Sequence, residues 1–184
     1  MATPAEYEIK IKSLQWDGLR SLWDDIENRN TPDWESGKAF EYLVLRAFQL
    51  DGAEVRFPYS VRLFDEEVEQ IDGAIHSNGI SCLVESKDFS DNTKVNIAPI
   101  AKLRNQLLRR PATAVGLVFS RTGFTDPARN LSRFLSPQAI LLWDGDEIKY
   151  GLENEKICEL LALKYRVCIE YGLSDYNIIA RNIP

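Results

Sequence analysis

At 184 residues and 45% hydrophobic, the chain can bury a sizeable core without disulfide or metal staples, and its length fits one domain. It contains no apolar run of membrane-spanning length, and residues 1–12 are polar with both charge signs; no membrane segment or secretory leader is expected, and a cytoplasmic setting is. A net charge of −6 argues against a protein that simply coats nucleic acid.

In chain order, Leu19, Leu22, Trp23 and Ile26 recur at helical spacing over residues 13–29. Thr31-Pro32 offers an N-cap and first-turn proline for a second helix running to about Leu50, with Phe40, Leu43, Val44, Ala47 and Phe48 on one stripe and Gly52 closing it. Residues 54–64, 68–75 and 80–87 are rich in Val, Ile, Phe and Tyr, and Ser77-Asn78-Gly79 is a turn between the last two, which predicts a three-stranded meander. After a polar loop at 89–93, Ile97, Ile100, Ala101, Leu107 and Leu108 mark a helix that stops before Pro111. Residues 114–120 read as a strand covered on both faces, 126–135 as a short helix and 139–143 as another strand. Asp144-Gly145 is expected as a hairpin turn into a strand at 148–150, and residues 153–171 as a last helix closed by Gly172. The order ααβββαβαββα predicts an α/β fold, a mixed sheet with helices on its faces. Cys82, Cys158 and Cys168 are odd in number and lie in apolar contexts, so they read as reduced core residues rather than disulfide partners or zinc ligands.

Chemistry concentrates in the meander. Glu85 and Lys87 are two apart on one strand and project from the same face, while Val84 and Ser86 point the other way. Asp72 ends the preceding strand beside Gly73, where the chain can bend and leave room for a ligand. Pairing through the Ser77-Asn78-Gly79 turn brings Asp72 and Glu85 to one point, and two close carboxylates call for a hard cation between them, Mg²⁺ with Mn²⁺ as a substitute. Asp72, Glu85 and the backbone carbonyl of Ser86 are the expected ligands. Lys87 would orient or deprotonate a water and offset phosphate charge. Glu41, one position off the apolar stripe of its helix, is expected as an outer or second metal ligand or as the holder of a water. From Asn92 to Ile140 eight basic residues face one acid, Asp126, a local +7 that leaves −13 for the remainder. Such asymmetry suits a surface for a polyanion, or a solvated helix face. Lys94, Lys102 and Arg109 are candidate phosphate contacts. Arg104 lies on the apolar side of its helix, so it either points inward toward a bound phosphate or packs its stem beneath a solvated head.

Glu41 in a leading helix, Asp72 ending one strand, Glu85-Ser86-Lys87 in the next and a basic helix behind them resemble the PD-(D/E)XK nuclease superfamily, closest to its Mrr-like, restriction-endonuclease-like branch. Gly37-Lys38-Ala39-Phe40-Glu41 and Gly116-Leu117-Val118-Phe119-Ser120 followed by Gly123-Phe124-Thr125 resemble segments that recur in that branch. The likeness covers about Gly37 to Leu152; Ile71 stands where the motif's proline would be. The resemblance implies an αβββαβ restriction-endonuclease-like core, Mg²⁺ dependence, DNA as substrate, and 5′-phosphate and 3′-hydroxyl products. One nuclease domain then spans the chain: a core at 35–152, a helical extension at 1–34 and another at 153–184.

Each residue also has a plainer reading. Glu85 and Lys87 could form a structural salt bridge. Of two further acid-x-Lys triplets, Glu8-Ile9-Lys10 has no aspartate upstream and Glu147-Ile148-Lys149 falls in the terminal hairpin. His76 reads as a polar turn residue, and Trp16, Trp23 and Trp34 as core rather than base-stacking platforms. The leading expectation is an endonuclease of restriction or defence type. Cutting both strands of a duplex leaves a homodimer open, with the apolar face of the last helix as one candidate surface. The alternatives are a binding module on the same fold that has lost the reaction, and a subunit of a larger complex that docks through residues 1–34 and 153–184.

Overall fold

The computed structural model describes residues 3–89, 93–135 and 137–180; residues 90–92 of the expected polar loop lie outside them. Three helices lead: α1 (Pro4–Lys12), α2 (Trp16–Glu27) and α3 (Lys38–Leu50). α1 was not expected, although its signal is local: Thr3 and Glu6 form a capping box and Pro4 occupies the first turn. Thr31-Pro32 does not start α3. Residues 31–37 form turns, and the helix begins after Gly37, whose φ of 79° takes the left-handed region open to glycine. α3 is buried almost all round, from Ala39 to Phe48, which fits a helix lodged against a sheet and beneath other helices.

The first two expected strands are each split, because Pro58 and the bend at Asp72 interrupt them. β1 (Glu54–Arg56) and β4 (Gly73–Ser77) join the main sheet, while β2 (Tyr59–Leu63) and β3 (Glu66–Ile71) form a separate two-stranded hairpin. Its turn, Phe64-Asp65, has positive φ at both residues. β5 (Ile80–Lys87) pairs antiparallel with β4 through Asn78-Gly79, also at positive φ, in the expected hairpin. α4 (Ile97–Leu107), β6 (Val115–Ser120), α5 (Asp126–Arg133) and β7 (Ile140–Trp143) follow as alternating helix and strand. The five-stranded mixed sheet has the order β1-β4-β5-β6-β7, with β5, β6 and β7 parallel and β6 and β7 buried throughout.

Asp144-Gly145 opens a helix, not a hairpin. α6 (Gly145–Asn154) is capped by Asp144 and Glu147 in a reciprocal capping box. Gly145 is required for another reason: a Cβ there would collide with the backbone carbonyl of Arg121. α7 (Ile157–Tyr171) follows after Glu155 breaks the chain in a left-handed conformation. α1, α2, α3 and α7 share one hydrophobic core against the sheet, centred on Phe48, Phe119 and Trp143 with ring centroids 5.6–6.2 Å apart. α4 and α5 cover the other face. The apolar face of α7 is therefore used internally, through Ile157, Leu161 and Val167, and is no free dimer surface. No helix is long and apolar enough to cross a membrane among the described residues.

Candidate active site

The register Gly73↔Val84 sets Asp72 one step further, opposite Glu85. The two acids thus meet at the edge where β4 bends into the hairpin, as the turn geometry required. Glu85 is buried, and its two oxygens face two ammonium groups. Lys87 Nζ is 2.6 Å from Oε1, and Lys102 Nζ, arriving from α4, donates to Oε2 at 2.6 Å. Lys87 thus shares the face of Glu85, as the alternation of the strand demands. It also donates to the Ser86 carbonyl at 3.2 Å. The Ser86 N–H in turn donates to Asp72 Oδ2 at 2.8 Å, a link that spacing did not reveal. Burial raises the pKa of the Asp72 carboxyl, and the nearby Glu85 charge raises it further.

Glu41 projects from the first turn of α3 into the same neighbourhood. It is buried, with Lys38 Nζ bridging its two oxygens at 2.9 and 3.0 Å. Burial, reinforced by the charge of Asp72, pushes its pKa up to about 7 despite the Lys38 contact. For Lys102, burial pulls downward, but the hydrogen bond and charge of Glu85 outweigh it and the ammonium is held above its ordinary value.

Gly73 leaves no room for a ligand. A Cβ there would run into Leu45 of α3 and the Arg56 carbonyl, so the glycine permits close packing of strand on helix. The open space lies on the other side of Asp72. A cavity of about 260 Å³ is lined by Lys38, Glu41, Ser60, Gln70 and Asp72, and one of about 730 Å³ by Gln70, Lys102, Gln106 and Arg109. Gln70 lines both, and Lys102 joins the second to the acids.

The basic segment behaves differently from its sequence. Six of its eight cations are paired with acids from elsewhere: Lys102 with Glu85, Arg109 and Arg110 with Glu69, Arg121 with Asp88, Arg129 with Asp144 and Arg133 with Asp175. Arg104 is exposed rather than turned inward, and Lys94 is exposed as well. The local +7 is thus largely cancelled in space. Sequence reasoning also missed Lys38 and Asp88. Asp88 directly follows Lys87 and accepts from Arg29 at 2.8 Å and Arg121 at 2.7 Å, which pins the end of β5. His76 is exposed and bonded to Ser81, Trp23 is buried, Trp34 stacks on Tyr7, and the three cysteines are free thiols.

The donor set suits a hard divalent cation. Among the described residues no three acidic, histidine or cysteine side chains form a ready-made cage, so the oxygens on offer are the Asp72 and Glu85 carboxylates and the Ser86 carbonyl. Glu85 Oε1 is buried and makes no hydrogen bond, since the close Lys87 ammonium is poorly aligned for one. An anionic oxygen buried in this way stays charged only beside positive charge, which the Lys87 ammonium supplies here and which a divalent cation could also supply.

Residues 33–151 match the family profile of the Mrr catalytic domain, described as restriction endonuclease. Among the solved structures that resemble the fold are two with TM-scores of at least 0.50. One, a protein of unknown function, AF1548, is 14% identical over 73% of this chain and 77% of that one, with a TM-score of 0.51. The other, the DNA modification-dependent restriction endonuclease AspBHI, is 15% identical over 90% of this chain, with a TM-score of 0.50; the match takes in 43% of that enzyme's length. No curated protein gives a significant match.

Proposed function

Since the chain belongs to the Mrr-type restriction endonuclease family, we propose that it is a metal-dependent endonuclease that hydrolyses phosphodiester bonds of DNA, with Asp72, Glu85 and Lys87 at its centre. The observation that carries this reading is the meeting of those three side chains at the mouth of a groove, inside the family-matched segment. Asp72, Glu85 and the Ser86 carbonyl would hold Mg²⁺, or Mn²⁺ in its place. When bound, the ion supplies Lewis-acid polarisation of the phosphate and a lowered pKa for water.

The rest falls to the chain. Lys87, held by Glu85 and Ser86 but partly open to solvent, orients the attacking water and offsets charge growing on the phosphate. Glu41, at about 7, is matched to accepting a proton near neutrality through an intervening water. The groove from Lys38 past Gln70 to Lys102 and Arg109 gives the backbone a path across the acids. The competing reading, a module that only binds, gives no account of three acids, Glu41, Asp72 and Glu85, gathered beside the groove where a polyanion would lie.

The test is direct. Purified protein with Mg²⁺ nicks or degrades duplex DNA, and Asp72→Ala and Lys87→Ala each lower the rate by roughly two orders of magnitude or more. Equal cleavage by wild type and Asp72→Ala would refute the assignment.

A further inference from the structure

We propose that Lys102 is an exchangeable counter-ion that couples cation binding to nucleic-acid binding: it occupies Glu85 Oε2 until a phosphate draws it away. The inference rests on the nuclease reading and adds to it a coupling between its two ligands.

Three features of the structure lead there. First, the acids already carry their own positive charges. Glu41 has Lys38 at 2.9 Å, and Glu85 has Lys87 and Lys102 each at 2.6 Å. Three ammonium groups therefore balance Glu41, Asp72 and Glu85, and a divalent ion entering this set meets cations on the oxygens it needs. Second, the two lysines on Glu85 are not equivalent. Lys87 stands on the same strand and is tied to the Ser86 carbonyl. Lys102 reaches over from α4, makes its side-chain hydrogen bond to Glu85 alone among the described residues, and keeps 44% of its side chain exposed. Third, Lys102 has somewhere to go. It lines the 730 Å³ groove with Asn105, Gln106 and Arg109, where a phosphate would offer it a new partner.

Exchange follows from these contacts. Without a polyanion, Lys102 and a dication compete for Glu85, and the dication binds weakly. A phosphate in the groove takes the ammonium and frees Oε2, so each ligand favours the other by the same factor. The nuclease centre then becomes complete only on its substrate.

Calorimetric titration with Ca²⁺, a larger dication that activates water less than Mg²⁺, reads the coupling without cleavage. Wild type, Lys102→Met, Lys102→Gln and Asp72→Asn are compared with and without a short DNA duplex. For wild type the duplex tightens Ca²⁺ binding on the order of tenfold, within the usual range of coupling between sites. Both Lys102 variants bind Ca²⁺ about that much more tightly without DNA, and the duplex adds little. Equal or weaker Ca²⁺ binding by both Lys102 variants overturns the exchange. In that case, loss of binding in Asp72→Asn leaves the metal site standing. If no protein binds Ca²⁺ even with DNA present, the nuclease reading itself fails and the exchange with it. Since Lys102 lies on the exposed side of α4, circular dichroism serves only to confirm that the variants are folded.

Discussion

Replacing Glu41 by Gln is expected to stabilise the protein above neutral pH. In the folded chain this carboxyl is pushed from 4.5 up to about 7, chiefly by burial and then by Asp72. A carboxyl whose folded value is raised holds its proton in the native state over a range where the unfolded chain has already released it. Stability therefore falls as pH rises from about 4.5 to about 7, and the loss is complete above that window. The interval is about 2.5 units, which at about 1.4 kcal/mol each gives an upper figure near 3 kcal/mol. Gln mimics the protonated group and titrates nowhere, so Glu41→Gln should match wild type near pH 4 and exceed it by about 2–3 kcal/mol at pH 8. For a chain of this size that corresponds to roughly 5–10 °C in Tm. Thermal unfolding of both proteins across pH, in buffer with EDTA, measures the difference. A gap between the two melting curves that stays flat from pH 4 to pH 8 would refute the reasoning, because it would mean that Glu41 titrates at an ordinary value in the folded state.

Lys164 should prove a structural ion pair with a large single-mutant cost. It is buried beside Trp143, donating to Glu147 Oε1 at 2.5 Å and to the Tyr176 carbonyl. Lys164→Ala leaves Glu147 buried without a counter-charge and should cost about 3–5 kcal/mol, while Lys164→Met combined with Glu147→Gln recovers most of it; urea unfolding of both variants decides, and equal losses would dismiss the pair. Glu69 holds Arg109 and Arg110. Glu69→Gln should tighten binding of a DNA duplex severalfold in fluorescence anisotropy and steepen its salt dependence by about 0.9 for each further phosphate that the released guanidinium groups neutralise. Unchanged affinity and slope would place the duplex away from this groove.

How much of this could be read from the chain depends on the range of the forces involved. Asp72 and Glu85 were legible because one short turn, Asn78-Gly79, fixes the register between them, and a register carries side-chain facing with it. Helices α2, α3, α4 and α7 were legible from apolar periodicity and the buried strands β6 and β7 from unbroken apolar runs, whereas α1 and α6 were not. Asp144-Gly145 misled because the same dipeptide serves a hairpin or an N-cap, and only Glu147, three residues on, tells them apart. The separate hairpin β2–β3 was hidden because period-two patterning does not say which sheet a strand joins. Gly73 and Gly145 were misread for a related reason. Their role is set by Leu45 and Arg121, residues distant in sequence, and close approach leaves no mark on the glycine itself.

The feature of the chain least legible in sequence is how its charge is paired, and it bears on function. A segment carrying eight cations and one acid looks like a ready surface for a polyanion, yet the folded chain sets Glu69, Glu85, Asp88, Asp144 and Asp175 against six of those cations. Those pairs are not of one kind. Asp88 and Asp175 have side chains 7% and 4% exposed and hold Arg121 and Arg133 by hydrogen bonds, and none of these four residues lines either cavity beside the acids. Glu85 and Glu69, 1% and 9% exposed, instead hold Lys102 of α4 and Arg109 of the turn that follows it, and both of these cations line the groove. A phosphate approaching there meets ammonium and guanidinium groups already oriented and only loosely desolvated, and has to displace carboxylates rather than order free side chains. Under the proposed exchange, an acidic chain would hold a polyanion at one place without attracting it everywhere, because positive charge would become available only where a phosphate replaces an internal acid.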